Sequence, residues 1–399
     1  MTAVGGGTVT ANGDFNSKKT AVMYGAGNIG RGFIGQLLFE SGYQTTFVDV
    51  DENVVAAINE KHAYPLCILT DDSRTDVMIE NIEAINGNDA GKVAGAISRA
   101  DLMATAVGAN ILPRVAAPIA AGLARRFERG AAPIDVLICE NLKDAERILR
   151  SLILSHLPKA AHSWFFESVG LVETSIGRMV PIQTPEMKGG DPMRICVEAY
   201  ASLPVDGAAF RAGIPDLRGI KAFSPFSFYV ERKLYIHNMG HALTAYCGDY
   251  LGCEYIWQAI GRKEVRCLVR KAMVSSANAL AKKYGMEDQP LYDHVDDLIA
   301  RFGNRQLGDT VYRVGRDLRR KLAREDRLAG ALRLCESENT GTEGILLGIA
   351  LALRFSSSDL DMPPEKALTD ICGIGEGEPS FSEILRLHGQ ALEGSLEFT

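Results

Sequence analysis

The sequence predicts an α/β chain, a Rossmann-type, mostly parallel sheet domain followed by a mostly α-helical C-terminal domain. Three observations carry this. Short apolar runs in the first half alternate with helix-like stretches of ten or more residues, the pattern of strand–helix–strand crossovers. A glycine-rich turn follows the first run. Beyond about residue 200 the apolar residues recur at three- and four-residue spacing, the helical period.

In chain order, residues 1–18 contain three consecutive glycines and no apolar periodicity, and read as a flexible tail. The runs 20–24, 45–48, 102–107 and 135–139 read as parallel strands covered on both faces. Residues 64–70 and 76–84 read as extra strands that elaborate the same sheet. A division near residue 200 then separates an NAD-binding domain, 19–200, from a helical substrate and catalytic domain, 201–399. In the latter, 226–250, 263–283, 292–302 and 344–355 carry helical spacing.

Composition excludes several classes. With 43 basic and 50 acidic residues the net charge is −7, against a nucleic-acid binder, which needs a basic surface to displace counterions. A local basic pocket for a small anion remains compatible. No apolar run reaches membrane-spanning length, and the start lacks a basic segment followed by an apolar one. A cytoplasmic protein with no membrane partner is expected. The eight cysteines are scattered, with no Cys-x-x-Cys and no His-Glu-x-x-His. They read as reduced, mostly buried thiols, and no metal site is expected. Oligomeric state is left open.

The strongest local signal is Tyr24-Gly25-Ala26-Gly27-Asn28-Ile29-Gly30-Arg31-Gly32. It follows an apolar run and opens a helix, the context a dinucleotide fingerprint requires. Gly25 permits the turn, Gly27 lets backbone approach a pyrophosphate, and Gly30 lets helix pack on strand. The free amides at the helix start then meet the phosphates. Asp49 ends the second strand 24 residues after Gly25, where a carboxylate holds ribose hydroxyls and repels a 2′-phosphate. The following Val50, Asp51 and Glu52 supply no arginine, so NAD is expected rather than NADP. Thr105 and Val107, closing the third main strand, are assigned to the nicotinamide wall by analogy with the fold.

The second signal is the stretch 231–241. At about 100° per residue, Lys233, His237, His241 and Asn238 fall near roughly 0°, 40°, 80° and 140° on one side of an apolar helix. Oxidising a secondary alcohol needs a base for the hydroxyl proton, and a lysine serves near neutral pH only if burial or nearby cations lower its pKa. Asn238 can donate to the oxygen as charge develops, and His241 can hold a neighbouring hydroxyl. Taken alone, Lys233 reads rather as a solvated helix lysine, and His237 as a packing or capping residue; only the constellation points to a site.

The pattern Lys-x-x-x-x-Asn-x-x-His, with Gly-Ala-Gly-Asn-Ile-Gly-Arg-Gly near the start, resembles the metal-independent long-chain polyol dehydrogenases. The resemblance covers 24–35, 61–66, Cys139-Glu140-Asn141, 172–182, 231–242 and 301–322. It implies that Lys233 is the general base, that Asn238 and His241 bind the reacting alcohol, and that Asn141 completes the oxyanion site. The chain departs from the family pattern at Ile176-Gly177-Arg178, where many members carry an aspartate in place of Gly177. The expected reaction is the NAD-dependent interconversion of mannitol 1-phosphate and fructose 6-phosphate. The alternatives are a dehydrogenase of a non-phosphorylated polyol or sugar acid, and a non-catalytic dinucleotide-binding regulator.

Residues 301–327 hold nine arginines or lysines against four acids. Guanidinium groups suit bidentate capture of a phosphate, so Arg301, Arg305, Arg313 and Arg316 are the candidates for a sugar-phosphate substrate. Pairing with Asp309, Asp317, Glu325 and Asp326 is the competing explanation of the same stretch.

Overall fold

The computed structural model describes residues 19–142, 144–356 and 358–398; the expected tail at 1–18 lies outside them. Among the described residues, eleven strands form three sheets. They are β1 (Thr20–Tyr24), β2 (Gln44–Asp49), β3 (Ala63–Leu69), β4 (Arg74–Glu80), β5 (Ile82–Asn86), β6 (Leu102–Thr105), β7 (Ile134–Ile138), β8 (Val169–Glu173), β9 (Ile195–Glu198), β10 (Leu203–Asp206) and β11 (Ile220–Phe223). The main sheet runs β5-β2-β1-β6-β7-β8, every pair parallel. Alternation along β1 shows why both faces are covered. Ala21 and Met23 join one apolar cluster with Phe33, Leu37 and Phe47. Val22 and Tyr24 point the other way, into a second with Ile97, Ile119 and Leu149. A strand buried on both faces reads as a continuous apolar run.

The expected elaboration of this sheet is corrected in two respects. Residues 64–70 do form a strand, but β3 pairs antiparallel with β4 and parallel with β9 in a separate three-stranded sheet. The run 76–84 contains a break at Asn81, which takes a left-handed conformation, φ 57°. Only its second half, β5, joins the main sheet, beside β2. The small sheet packs on the turn after β1: a Cβ at Gly32 meets Ile195 at 2.8 Å and Val197 at 3.0 Å, so only glycine admits it.

Strand-like segments also run past residue 200. Leu203 and Val205 lie in the sheet-side core, β10 pairs with β11, and Thr174 bridges Val205. Helices begin at Ser227. We therefore place the division near 224–226 rather than 200. The helical part has one continuous core, in which Met239–Tyr250, Lys263–Tyr284, Gln289–Phe302 and Glu343–Arg354 pack together. No described helix is long and apolar enough to cross a membrane, and no described cluster of His, Cys, Asp or Glu could hold a metal ion.

The two parts meet across a buried ion pair. Arg301 donates through Nε to Glu198 Oε2 at 2.9 Å and through Nη2 to the Gly177 carbonyl at 2.5 Å. Its guanidinium lies 4.3 Å from the Tyr200 ring centre. Glu198 also accepts from the Met179 amide. Nearby, Arg305 N–H donates to Asp71 and Arg74 donates to Gln306, so the small sheet and the 303–307 loop are stitched together.

Candidate active site

A cavity of about 420 Å³ opens where the carboxyl ends of the main strands face the helical part, the crevice in which open α/β sheets bind ligands. From the sheet side it is lined by Ile29 after β1, Ala106 and Gly108 after β6, Glu140 and Asn141 after β7, and Ile176 after β8. From the helical side come Lys233, Asn238, Arg320 and Arg327.

The glycine turn fits a dinucleotide on steric grounds. Gly25 has φ +102° and lies against the Ala106 carbonyl, so a side chain there is both strained and blocked. At Gly30 a Cβ would run into the Gly25 carbonyl. Gly27 differs: a Cβ would meet no protein atom within 4 Å. This chain leaves that position open, as close approach of a pyrophosphate requires. Ala26 N–H donates to Asp49 Oδ2 at 2.7 Å, and Asp51 N–H to Oδ1 at 3.0 Å. Each oxygen keeps a lone pair for a ribose hydroxyl. Arg31 is a brace rather than a phosphate ligand, since it is buried and donates to the Ala26 and Met193 carbonyls.

The nicotinamide-side wall is corrected. Thr105 is fully buried, and the residues that line the cavity are Ala106 and Gly108, not Thr105 and Val107. Val107 and Gly108 instead donate their amides to the two oxygens of Glu140, at 2.9 and 2.8 Å. Glu140 thus ties the tips of β6 and β7 together, a role that its place beside Asn141 in the sequence hinted at but did not specify.

Lys233 and Asn238 line the same cavity across a turn that is not α-helical. Residues Lys233–Asn238 form a π-helical turn, closed by the Met239 N–H on the Leu234 carbonyl. With hydrogen bonds spanning five residues, positions five apart stack on one face, a geometry frequent at functional sites. The α-helical period had set these two side chains well apart. Lys233 Nζ donates to Asn141 Oδ1 at 3.4 Å, leaving the Asn141 amide NH2 as the end that faces a ligand oxygen. Desolvation pushes the lysine down from 10.5 to about 8, and the positive charge of Arg327 adds to the shift.

His241 does not join them. It lies eight residues on from Lys233, about two turns along the helix. Its ring stacks on Phe302 at 4.8 Å, and its Nε2 stands 3.5 Å from Asp309 Oδ2. It lines a separate, water-sized cavity with Asp309, Asn304 and Arg301. Burial, with Arg313, Arg327 and other cations around it, holds it neutral, at about 3. His237 is buried and pushed well below its usual range, first by burial and then by Arg301.

The four phosphate candidates also lie elsewhere. Arg301 is consumed by Glu198. Arg305 lies over the Trp257 ring at 4.7 Å. Arg313 pairs with Asp309, and Arg316 is exposed at the end of the helix Val311–Gly315. The guanidinium groups in the cavity are Arg320 and Arg327. Their hydrogen bonds to Asp317 and Asp326 use the Nε atoms. Beneath them the buried Lys321 donates to the Val314 and Arg316 carbonyls and fixes the segment.

The chain matches the Mannitol dehydrogenase Rossmann domain over residues 19–219 and the Mannitol dehydrogenase C-terminal domain over 226–370. It belongs to the mannitol dehydrogenase family. A relative from Brevibacillus brevis, mannitol-1-phosphate 5-dehydrogenase, is 34% identical, covering 94% of this chain and 98% of its own. Among solved structures, a D-sorbitol dehydrogenase aligns with TM-score 0.80 at 16% identity, over 94% of this chain and 93% of its own. The mannitol 2-dehydrogenase of Pseudomonas fluorescens, solved with NAD and D-mannitol, aligns with TM-score 0.71 at 15% identity, over 95% and 93%. At those identities the two share the fold. As a member of the mannitol dehydrogenase family the chain is an oxidoreductase, and its cofactor is NAD, in keeping with the open Gly27 and with Asp49.

Proposed function

We propose that this chain interconverts mannitol 1-phosphate and fructose 6-phosphate with NAD, Lys233 moving the proton. The observation that supports it most is convergence. One cavity gathers a desolvated lysine, two asparagine amides and two guanidinium groups. Three cations line the cavity, two of them meeting Asp317 and Asp326 through Nε, beside one carboxylate, Glu140, that is held by backbone amides. That suits an anionic sugar and disfavours none of the chemistry a polyol needs.

When bound along Gly25–Gly30 and Asp49, the cofactor supplies or accepts the hydride. Ketone carbon plus hydride gives an alkoxide, and the ammonium of Lys233 gives it the proton that completes the alcohol. In the reverse direction the neutral amine takes the hydroxyl proton. The amides of Asn141 and Asn238 donate to the oxygen while it carries charge. Arg320 and Arg327 hold the phosphate. The B. brevis relative, over nearly its whole length, supports the phosphorylated substrate. His241 acts from behind the site, with Asp309 at its Nε2, rather than on the reacting hydroxyl.

Fructose 6-phosphate and fructose compared as oxidants of NADH test the reading. The phosphorylated ketose should be favoured at least about 100-fold in kcat/KM, the value of one good charge-assisted contact pair. Equal efficiencies, or a preference for the free sugar, would replace it with a dehydrogenase of unphosphorylated polyols.

A further inference from the structure

The cavity contains an electrostatic coupling that binding alone does not require. We propose that the substrate's phosphate, seated between Arg320 and Arg327, sets the charge on Lys233, so that the contact which holds the sugar also loads the general acid. The inference rests on the phosphate reading above.

Arg320, Arg327 and Lys233 line the same space. No carboxylate pairs with Lys233 among the described residues; its hydrogen-bond partner is the neutral Asn141. Among the described residues, the charged groups that line the cavity with it are Arg327 and Arg320 from the helical side, with Asp326 and Asp317 behind their Nε atoms, and Glu140 from the sheet side, committed to two amides. On its own helix, Glu231 pairs with Lys283, Arg232 lies over the Tyr229 ring, and His237 is held neutral by burial and by Arg301. The amine is thus desolvated and repelled by a guanidinium, which together push it down to about 8.

A phosphate monoester carries close to two negative charges above its second pKa of about 6. Placed on Arg327 it cancels the repelling charge and adds an attractive one. An opposite charge raises an ammonium pKa, by about one unit or more at roughly 4–6 Å and by less beyond; four carbon–carbon bonds separate the phosphorylated carbon from the ketone carbon. At pH 8.5 the site therefore takes up a proton from solvent as the sugar phosphate binds. That proton is the one Lys233 gives to the alkoxide, and the next substrate restores it. A free ketose lacks the dianion and leaves the amine largely uncharged.

The test uses the enzyme saturated with NAD, whose oxidised cofactor cannot reduce a ketose. Fructose 6-phosphate is titrated calorimetrically at pH 8.5 in buffers of different ionisation enthalpy. The expected uptake is about half a proton per site, reproduced by inorganic phosphate and absent in Lys233→Met. In steady state, the high-pH fall of kcat, which reports the complex, should lie about one unit above that of kcat/KM, which reports the free enzyme. Arg327→Gln should close this gap by raising the free-enzyme value.

Binding without proton uptake, uptake that survives in Lys233→Met, or coincident kcat and kcat/KM profiles in the wild type each overturn the coupling and leave the proposed reaction standing. No binding of either phosphate compound overturns the phosphate reading as well.

Discussion

Arg301 and Arg327 come from one basic stretch of sequence and end in opposite circumstances. Arg301 has its charge matched by a buried carboxylate, two of its nitrogens on Glu198 and a carbonyl beside it. It holds the helical part against the sheet. Arg327 meets an aspartate through Nε and turns toward the cavity, where its field falls on Lys233. The difference teaches that local charge density says little about ligand binding until the partners are known. A guanidinium with a buried carboxylate is architecture, while one that faces an amine across open space is chemistry.

The contrast can be broken from the chemical side first, with the largest effect. Lys233→Ala should lower turnover by at least about 10³-fold, the upper range for a positioned acid or base, while NADH affinity measured by fluorescence titration stays nearly unchanged. A variant keeping a tenth of the rate contradicts the role. On the architectural side, Glu198→Gln leaves Arg301 buried with the more exposed Asp297 as its remaining counter-charge. The cost should be about 3–5 kcal/mol, read as an earlier urea transition, with the KM of surviving enzyme close to wild type.

Arg327→Gln should do the reverse. It should raise the KM for fructose 6-phosphate about 100-fold, equivalent to roughly 2.7 kcal/mol, with an unchanged urea transition and little effect on any residual fructose activity. Stability loss in Arg327→Gln, or a KM effect in Glu198→Gln, would erase the distinction. The smallest effect is that of pH. Ketose reduction needs the ammonium, present below the pKa, so its kcat/KM should be level in mild acid and fall as pH rises through about 8. Oxidation needs the neutral amine and should fall as pH drops through the same value. A level profile from pH 7 to 9 places the titrating group elsewhere.

Much of the frame was legible in the sequence. β1, β2, β6 and β7 are apolar runs buried on both faces, and the long helices of the second half carry an unbroken period. The dinucleotide turn was visible because steric demand is local: Gly25 and Gly30 answer to neighbours a few residues or one strand away. The strands β10 and β11, four residues each, lack the near-continuous apolar run that marks the equally short β6, and the expected division near 200 therefore fell before them.

The site was legible in its residue types and not in its geometry. The α-helical period was applied across 233–238, where the backbone widens. The choice among arginines depends on Asp317. Its left-handed φ of 68° starts the four-residue helix Leu318–Lys321 and turns Arg320 to the cavity. Nothing in the charge pattern encodes that turn. For His241 the residue type was suggestive, but stacking on Phe302 decided where the ring lies.

The widened turn at Lys233–Asn238 also sets a limit on how this chain can change. Rewinding these six residues to ordinary α spacing, with none removed, would give a more regular rod with stronger internal bonds. It would also swing the downstream amide about a quarter of a circle away from the amine, whereas losing one residue at the same time would leave the two four apart and on one face. Substitutions that favour the regular helix here are therefore constrained by aim rather than by folding.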